Sequence, residues 1–452
     1  MAAEEMTEDK ITATPTKRLF INILTKDISV KDCILDLIDN SVDSYIWNGI
    51  EDKREIRLNI SKEQFEISDT CGGIDRDFLK KDVFRFGADI ERNKPTLGIY
   101  GIGMKRALLK LGRTILMETD DEQNYCRILW NVDEWSKKSD EDWDIPLEYG
   151  NSRLTSDGKG YTKIVVNDLS ESVKNKFDLD YFINGVREAI HLTYTFFILK
   201  DNIDFYVNNA TKIEPYPVKI RSDDHQYQPV RVKDSFKGVD FEIICFIDPH
   251  ERRTTKELGK RGWNIFCNKR LILAEDTTKT TGWSGEKSEL PKFHPIYNEF
   301  RGIVFIDSDN PSKLPLNTQK TGLDTDTPIY DYIKNKMILT ARPLVDHLSY
   351  KYDEDKATLD DIENKMQETE IKGAAEVEKS DIEVKYLTLD EVEVGSVFRA
   401  PPKPKIVMST IKYKKPKKLV LKVREYLGLR TFEEVGENTF DYFVDLEGIE
   451  DE

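Results

Sequence analysis

The sequence predicts an α+β fold, and three observations carry that prediction. Helix and strand signals alternate from about residue 15 to about residue 170. Two consecutive strands, REIRLNI (54–60) and QFEIS (64–68), are joined by a turn at Ser61–Glu63. Helices are inserted between strands that pair as neighbours. This arrangement is typical of an α+β layer.

The other elements of this first region follow from the same signals. Three further strands are predicted at RTILMET (113–119), YCRILWNV (125–132) and TKIVVNDL (162–169). Helices are predicted at SVKDCILDLIDNSVDSYIW (29–47), DRDFLKKDVF (75–84) and GMKRALLKLG (103–112), the last of which Gly112 stops. Residues 1–14 are predicted to be a disordered lead.

A second alternation is predicted from about residue 203 to about residue 350. It follows one long buried helix at 177–198 and contains strands at VDFEIICFID (239–248), GWNIFCNKRLIL (262–273) and RGIVFID (301–307). A closing helix at 328–352 is predicted to kink near Pro343. The predicted domains are 15–198, 199–352, an acidic linker or helix at 353–400, and a C-terminal region at 401–452 with a basic segment.

Composition excludes several classes of protein. The 452 residues carry 68 Lys+Arg against 84 Asp+Glu, a net charge of −16, so the overall field does not attract nucleic acid. Five cysteines without a CxxC pair predict reduced thiols in a cytoplasmic protein. Five histidines without HExxH spacing disfavour a histidine metal site. No apolar run approaches the ~20 residues of a membrane span, and the acidic N-terminus is unlike a signal peptide.

The helix at 29–47 carries an unusual polar stripe. Asp36, Asn40 and Asp43 share one face, and apolar side chains cover most of the rest. A solvated face would favour Glu, Lys, Gln and Arg, because Asp and Asn are weak helix formers. The alternative is the wall of a polar pocket, with Asp36 holding a water and Asn40 holding a metal ion.

Two glycine-containing stretches have the character of ligand loops. In ISDTCGGID (67–75), Asp69 can accept a hydrogen bond from an exocyclic amine, and glycines such as Gly73 let the backbone approach a flat ligand. An ordinary turn would have the same composition.

In GIYGIGMKRALLKLG (98–112), Gly98, Gly101 and Gly103 open a helix whose N-terminus is an anion site, and Lys105 adds a point charge. The stretch lacks the GKS/T of a P-loop, and packing alone would also explain it. Thr162 begins the strand after GKGY, and by itself this position does not indicate a ligand site.

Taken in order, these four motifs resemble the GHKL ATPases, the group of gyrase B, the ninety-kilodalton heat-shock chaperone, histidine kinases and MutL. The resemblance covers roughly residues 15–170 and implies a Bergerat-type sandwich that binds ATP. It implies that Asn40 ligates Mg²⁺, that Asp69 receives the adenine amino group with Thr162 beside it, and that residues 75–97 form the ATP lid. It further implies a nucleotide site containing Gly73, Gly98, Gly101, Gly103, Met104 and Lys105.

The sequence departs from this family at two positions. Asp36 stands where the family has a glutamate as general base, and its side chain is one methylene shorter. Cys71 stands where the family usually has the first glycine of Asp-x-Gly-x-Gly. Both departures bear on the rate of hydrolysis more than on binding, so the predicted ATPase is a slow one.

Within the group, GIYGIGMK is most similar to MORC proteins and related prokaryotic ATPases. GWNIFCNKRLI (262–272) resembles the strand before the active-site lysine loop of MORC and MutL transducer domains, which have a ribosomal-protein-S5-like fold. That loop would be LPLNTQKTGLD (314–324). The resemblance implies that Lys320 reaches the γ-phosphate and is catalytic, with Gln319 nearby. An incidental surface loop is the alternative.

Two functions follow from the resemblance. The first is an ATP-gated homodimeric switch that hydrolyses ATP, with residues 1–25 strapped across the partner. The second is a nucleotide-dependent binding module with little or no turnover. The basic run at 401–424 is either a patch for DNA or a linker that docks on the acidic body. A protein partner, DNA repair, chromatin-like compaction and prokaryotic antiviral defence all stay open. A histidine-kinase role is disfavoured, because no histidine precedes DLIDN.

Overall fold

The structure is a computed structural model that describes residues 15–87, 93–99, 101–154, 158–209, 211–216, 220–221, 228–248, 261–366, 386–398 and 414–447. Contacts between residues divide the chain into two units. The first contains residues 1–354 and 371–401, and the second contains residues 355–370 and 402–452.

A seven-stranded mixed sheet forms the first half of the first unit, as the α+β prediction requires. Its strands are β1 (Arg54–Ile60), β2 (Phe65–Asp69), β3 (Thr114–Asp120), β4 (Asn124–Asn131), β5 (Leu147–Asn151), β6 (Tyr161–Asn167) and β7 (Ile203–Val207). Their order in the sheet is β5-β4-β3-β6-β2-β1-β7, and every neighbouring pair is antiparallel except β1 with β7. The sheet continues past residue 198, where the sequence predicted a boundary.

Helices accompany this sheet, and apolar side chains from both form one core. The Ser29 hydroxyl caps α2 by accepting the Asp32 N–H, which fixes where that helix begins. The helices are α1 (Lys17–Asn22), α2 (Val30–Trp47), α3 (Arg76–Phe78), α4 (Gly103–Leu111), α5 (Val132–Lys137), α6 (Glu171–Phe177), α7 (Asp180–Thr193) and α8 (Thr195–Lys200).

The long buried helix predicted at 177–198 is wrong, because the chain leaves the helical conformation at Tyr194 between α7 and α8. The Tyr194 ring is fully buried against Phe205, with 5.3 Å between ring centroids. Its hydroxyl donates to the Leu35 carbonyl at 2.9 Å and to Asp39 at 2.7 Å. A buried hydroxyl must find such partners, and both of these partners lie on α2.

The helix predicted at 75–84 is present as a helical run at 76–83, in which a short helix, α3, continues into a single π-helical turn at Leu79–Val83. The Lys105 ammonium donates to the carbonyls of Val83 and Arg85 at 2.8 Å each, at the end of this turn. Of the predicted lid at 75–97, residues 88–92 lie outside the described residues.

The N-terminal helix packs on its own chain in this structure. The Lys17 ammonium donates to the Ser139 carbonyl at 2.7 Å, and the Phe20 ring lies 4.6 Å from the ring of Phe86. The described part of the predicted strap, residues 15–25, therefore contacts Phe86, which lies in the predicted lid at 75–97. Residues 1–14, predicted as a disordered lead, lie outside the described residues.

A five-stranded sheet with the order β12-β11-β13-β10-β9 forms the second half of the first unit. The long helix α9 (Pro328–Met366) packs its apolar side chains into the core of this sheet and continues through Pro343. A two-stranded ribbon pairs β8 with β14. The strands are β8 (Ile220–Arg221), β9 (Val230–Phe236), β10 (Val239–Ile247), β11 (Gly262–Cys267), β12 (Arg270–Asp276), β13 (Phe300–Asp307) and β14 (Tyr386–Leu387).

The single strand predicted at 262–273 is wrong, because it is a hairpin of β11 and β12. The two residues between these strands, Asn268 and Lys269, have φ angles of 45° and 66°. Two successive left-handed residues are the geometry of a tight hairpin turn, and asparagine is favoured at the first of them. The turn brings Arg270 to the start of β12.

In the second unit the structure describes the last residues of α9 and two further helices, α10 (Lys417–Leu427) and α11 (Phe432–Glu447), which contact each other. Gly428 ends α10 with a φ angle of 67°, a left-handed conformation that glycine adopts without strain. Part of the basic run, 401–413, and residues 367–385 of the predicted acidic segment lie outside the described residues. Helix α9 continues past residue 352, where the sequence predicted its end.

Candidate functional site

A cavity of about 460 Å³ opens between α2, the first sheet, the start of α4 and the loop at 314–324. This volume is within the range of small-molecule sites. Every site residue predicted from the sequence lines it: Asp36, Asn40, Asp69, Gly73, Gly98, Gly101, Gly103, Met104, Lys105, Thr162 and Lys320. The fold therefore brings residues from five separate stretches of the chain to one place.

Asp69, the last residue of β2, lines the cavity. Its Oδ2 accepts a hydrogen bond from the Ser41 hydroxyl at 2.7 Å, and its Oδ1 accepts one from the Cys71 N–H at 2.9 Å. Burial raises the pKa of Asp69 to about 6, although these hydrogen bonds oppose the shift. Thr162 lies directly opposite Asp69 in the pairing of β2 with β6. The carboxylate and the hydroxyl thus lie side by side.

The turn after β2 is built for close backbone approach. Gly73 has a φ angle of 71°, and a Cβ atom there would collide with the Asp120 carbonyl. Cys71, where the related family usually has a glycine, is fully buried in the core of the first sheet. The Cys71 carbonyl accepts from the Ser44 hydroxyl at 3.0 Å. Cys71 is therefore accommodated as a core residue.

Asp36 lines the cavity in a cluster of charged side chains. Its Oδ2 accepts two hydrogen bonds from the Arg106 guanidinium, from Nε at 3.1 Å and from Nη2 at 2.7 Å. Its Oδ1 lies 3.7 Å from the Lys320 ammonium. A Cβ atom on Gly103 would lie 3.3 Å from this carboxylate, so the glycine lets the start of α4 approach Asp36.

Asn40 and Asp43, the other members of the polar stripe, have different partners. The Asn40 amide nitrogen donates to the Asp36 carbonyl at 2.6 Å, so the amide oxygen is the side chain's acceptor. Asp43 accepts the backbone N–H groups of Leu97 and Gly98, at 2.5 Å and 2.8 Å. Asp43 therefore fixes the glycine loop to α2. In this structure the Gly98 N–H therefore donates to the Asp43 carboxylate.

Lys105 lies in the first turn of α4, and its side chain is 3% exposed. Its ammonium donates to the carbonyls of Val83 and Arg85, as described above, and lies 5.7 Å from the centre of the Phe86 ring. In this structure Lys105 therefore joins the start of α4 to residues 83–86, which lie in the predicted lid. Gly101, with a φ angle of 60°, permits the turn that leads into α4.

Lys320 reaches the cavity from the second sheet's half of the unit. Its ammonium donates to Asp39 Oδ2 at 2.7 Å, and Arg270 Nε donates to Asp39 Oδ1 at 2.8 Å. Burial by itself raises the pKa of Asp39, but the charges of Arg270 and Lys320 outweigh it and hold this pKa below its ordinary value. Burial and the Asp39 charge raise the pKa of Tyr194, whose hydroxyl stays a donor.

Sequence reasoning missed Asp39, Arg106 and Arg270 as parts of the site. Arg106 follows Lys105 on the first turn of α4, so the helix geometry of the glycine stretch offered a signal for it. Asp39 and Arg270 are 231 residues apart in the chain, and nothing in the local pattern pairs them. The residues that the structure describes contain no group of three or more His, Cys, Asp or Glu side chains that would hold a metal ion unaided.

Residues 28–160 match the family model of histidine kinase-, DNA gyrase B- and HSP90-like ATPases. This match supports the GHKL superfamily for the segment that contains α2, the turn after β2 and the glycine loop. Members of that superfamily are usually ATPases. A search of curated proteins found no match. Among the described helices, none has both the length and the hydrophobicity of a membrane span.

Proposed function

We propose that this protein binds Mg-ATP in the cavity and hydrolyses it as a slow, MORC-like ATPase that works as an ATP-gated homodimeric switch. One observation carries the proposal: the residues of four separate motifs, together with Lys320, line a single cavity. An isolated motif match would not require them to converge.

The adenine end of the site is assigned to Asp69 and Thr162. A buried carboxylate in the cavity lining is suited to accept a hydrogen bond from the adenine amino group. Gly73 allows the backbone to lie close to a flat base. Trp47, Ile67 and Ile164 add apolar surface to the cavity lining, in keeping with a site for a heteroaromatic ring.

The opposite end is suited to a polyphosphate. The cations in the cavity lining are Lys105, Arg106 and Lys320, and two of these, Arg106 and Lys320, lie beside Asp36. Buried cations grouped in this way can contact an anionic group such as a phosphate. The N-terminus of α4, opened by Gly103, adds donors that point in the same direction.

Asn40 is the assigned Mg²⁺ ligand, through its amide oxygen. Mg²⁺ keeps several waters and is held by one or two protein groups together with substrate phosphates, so a single amide ligand fits this ion. When bound, Mg²⁺ neutralises phosphate charge. The absence of a larger acidic cluster among the described residues is compatible with this mode of binding.

Asp36 is assigned as the general base. Arg106 takes Oδ2, so Oδ1 is the oxygen that can orient and deprotonate a water. Lys320, 3.7 Å from Oδ1, is placed to contact the terminal phosphate, and it would favour ATP over ADP because ADP lacks that group. Since Lys320 belongs to the second sheet's half, which we assign as an S5-like transducer, its contact with the nucleotide would couple chemistry to movement.

The same proposal includes a compartment, an oligomeric state and possible partners. All five cysteines are buried and free, which favours a reducing compartment such as the cytoplasm. GHKL domains typically dimerise, and a homodimer is the expected assembly. A protein partner or DNA at the C-terminal region, and a role in DNA transactions or antiviral defence, stay hypotheses. The alternative function, nucleotide binding with little turnover, is favoured by one observation: Arg106 occupies one oxygen of the proposed base.

One pair of measurements tests the proposal and separates it from this alternative. Mg-ATP binding is measured by calorimetry and phosphate release by a turnover assay, in the wild type and in Asp36→Asn. We expect both proteins to bind, and turnover in the variant to fall about 10²- to 10⁴-fold. Asp32→Asn, in the first turn of the same helix, is the control and should behave as the wild type.

Absence of Mg-ATP binding to the wild type would refute the proposal. Binding without measurable turnover in the wild type would establish the alternative. Turnover in Asp36→Asn at the wild-type rate would show that another residue is the base.

A further inference from the structure

Asp39 connects α2 to three distant parts of the chain. It is 1% exposed and lies on α2 between Asp36 and Asn40. Its partners are Tyr194, at the break between α7 and α8, Arg270 at the start of β12, and Lys320 in the loop at 314–324. A carboxylate this deeply buried is stable only when it is paired and hydrogen-bonded, and Asp39 is both.

The two oxygens of Asp39 have separate partners. Oδ1 accepts from Arg270 Nε at 2.8 Å and from the Tyr194 hydroxyl at 2.7 Å. Oδ2 accepts from the Lys320 ammonium at 2.7 Å. A substitution can therefore change the contact with Lys320 while leaving an acceptor for the other two donors.

Lys320 is held at both of its ends. Arg270, anchored on Asp39, also donates through Nη1 to the Lys320 carbonyl at 3.0 Å. The backbone of Lys320 has a φ angle of 54°, a left-handed conformation that is strained for a residue other than glycine. Strain of this kind persists where surrounding contacts impose it, and it clusters at functional sites.

We propose that Asp39 is a positioning residue that aims the Lys320 ammonium at the cavity, beside Asp36. This inference rests on the proposed function. A lysine on a loop has a flexible four-carbon stem, and freezing it in one place costs conformational entropy. Asp39 fixes the ammonium directly and the backbone through Arg270, so the charge is in place before it has to act.

A neighbouring ion pair joins the same two sheets without a proposed role in catalysis. Lys269, the residue before Arg270, donates to both oxygens of Asp201 at 2.8 Å and 2.9 Å. This pair also joins the second sheet to the first half of the unit, and neither residue belongs to the proposed catalytic machinery. Asp201→Asn is therefore the matched control for Asp39→Asn.

The test compares the wild type, Asp39→Asn, Lys320→Ala, the double variant and Asp201→Asn. In Asp39→Asn the amide oxygen can still accept from Arg270 and Tyr194, while the NH₂ group faces the Lys320 ammonium and two donors cannot bond. We expect ADP affinity to stay within about twofold of the wild type. We expect turnover to fall about 10- to 100-fold, as when a reacting group is misplaced.

Two further readouts distinguish positioning from stability. The preference for ATP over ADP in Asp39→Asn should fall to that of Lys320→Ala. The double variant should be no worse than the more damaged single variant, because both changes remove the same contact. Asp201→Asn should lower the melting temperature without changing turnover or nucleotide preference.

The inference is overturned if Asp39→Asn keeps the wild-type nucleotide preference, or if its effect adds fully to that of Lys320→Ala. Should Asp39→Asn fail to fold, Arg270→Lys takes its place with the same readouts, since a lysine cannot bridge Asp39 and the Lys320 carbonyl together. Nucleotide preference is measured by binding alone, so it needs no turnover. A wild type that binds neither ADP nor ATP would refute the proposed function itself.

Discussion

Replacing Asp69 by asparagine should weaken ATP binding while leaving the fold intact. The carboxylate accepts hydrogen bonds from the Ser41 hydroxyl and the Cys71 N–H, and the Thr162 backbone and the Cys71 thiol also stabilise its charged form. A bound adenine amino group would add a hydrogen bond to this charged form, and the substitution weakens that bond. Asparagine keeps one acceptor oxygen, and the Ser41 hydroxyl can rotate to accept from the new NH₂ group.

The loss in affinity can be worked from these contacts. A hydrogen bond to a charged group contributes about 1.5–3 kcal/mol, and about 1.4 kcal/mol is a tenfold change in affinity. The dissociation constant for Mg-ATP should therefore rise about 10- to 150-fold. Calorimetric titration at pH 7.5 measures it with Asp69 ionised, because the pKa of this buried group lies at about 6.

A matched control lies on the same strand. Glu66 is in β2 and pairs with Lys163 at 2.9 Å, away from the cavity lining, so Glu66→Gln should bind Mg-ATP as the wild type does. If Asp69→Asn is folded and its dissociation constant changes less than about threefold, the assignment of Asp69 to the adenine amino group is wrong.

Three further predictions concern pH, the two lysines and the assembly. Because burial raises the pKa of Asp69 to about 6 from its ordinary 3.8, affinity for Mg-ATP should fall more steeply below about pH 6 in the wild type than in Asp69→Asn. As the pH falls below about 6, the unliganded wild type should also gain stability relative to Asp69→Asn, because the folded state binds the proton at a higher pH than the unfolded state does. Calorimetric titrations at several pH values measure the affinity, and thermal melts at the same pH values measure the stability. The same pH dependence in the two proteins would contradict this prediction. Lys320→Ala should keep ADP binding nearly intact and lower ATP hydrolysis strongly, whereas Lys105→Ala should weaken both nucleotides evenly; equal losses in the two variants would disprove this division of roles. A non-hydrolysable ATP analogue should compact a homodimer in solution scattering, because it binds the closed state better, and unchanged profiles at saturation would count against the switch.

Local patterns were sufficient for the motifs and for most of the first sheet. The strands β1, β2, β3, β4 and β6 lie within two residues of their predicted bounds, because each is a short run of alternating or apolar residues ended by a turn. The glycine stretch also predicted where α4 begins and ends. For the same reason the candidate residues of that half could be chosen before the fold was known.

The predictions that were wrong or missing concern features that tertiary contacts determine. Tyr194 breaks a helix that its own sequence would continue, because its hydroxyl bonds to α2 about 155 residues earlier in the chain. Lys320 and Asp39 are 281 residues apart, so a pairing of their charges has no local signature. The hairpin at Asn268 and Lys269, in contrast, has a local signal in the sequence. Asparagine followed by a second polar residue favours a turn, but the apolar residues on both sides suggested one continuous strand.

The central claim is that Mg-ATP binds in the cavity lined by α2, the turn after β2 and the start of α4. A structure determined with Mg²⁺ and a non-hydrolysable ATP analogue tests it most directly. We predict that the adenine amino group is hydrogen-bonded to the Asp69 carboxylate and that the terminal phosphate lies at the end of the cavity formed by Asp36 and Lys320. An analogue bound elsewhere on the protein, or bound here with its adenine away from Asp69, would contradict the account.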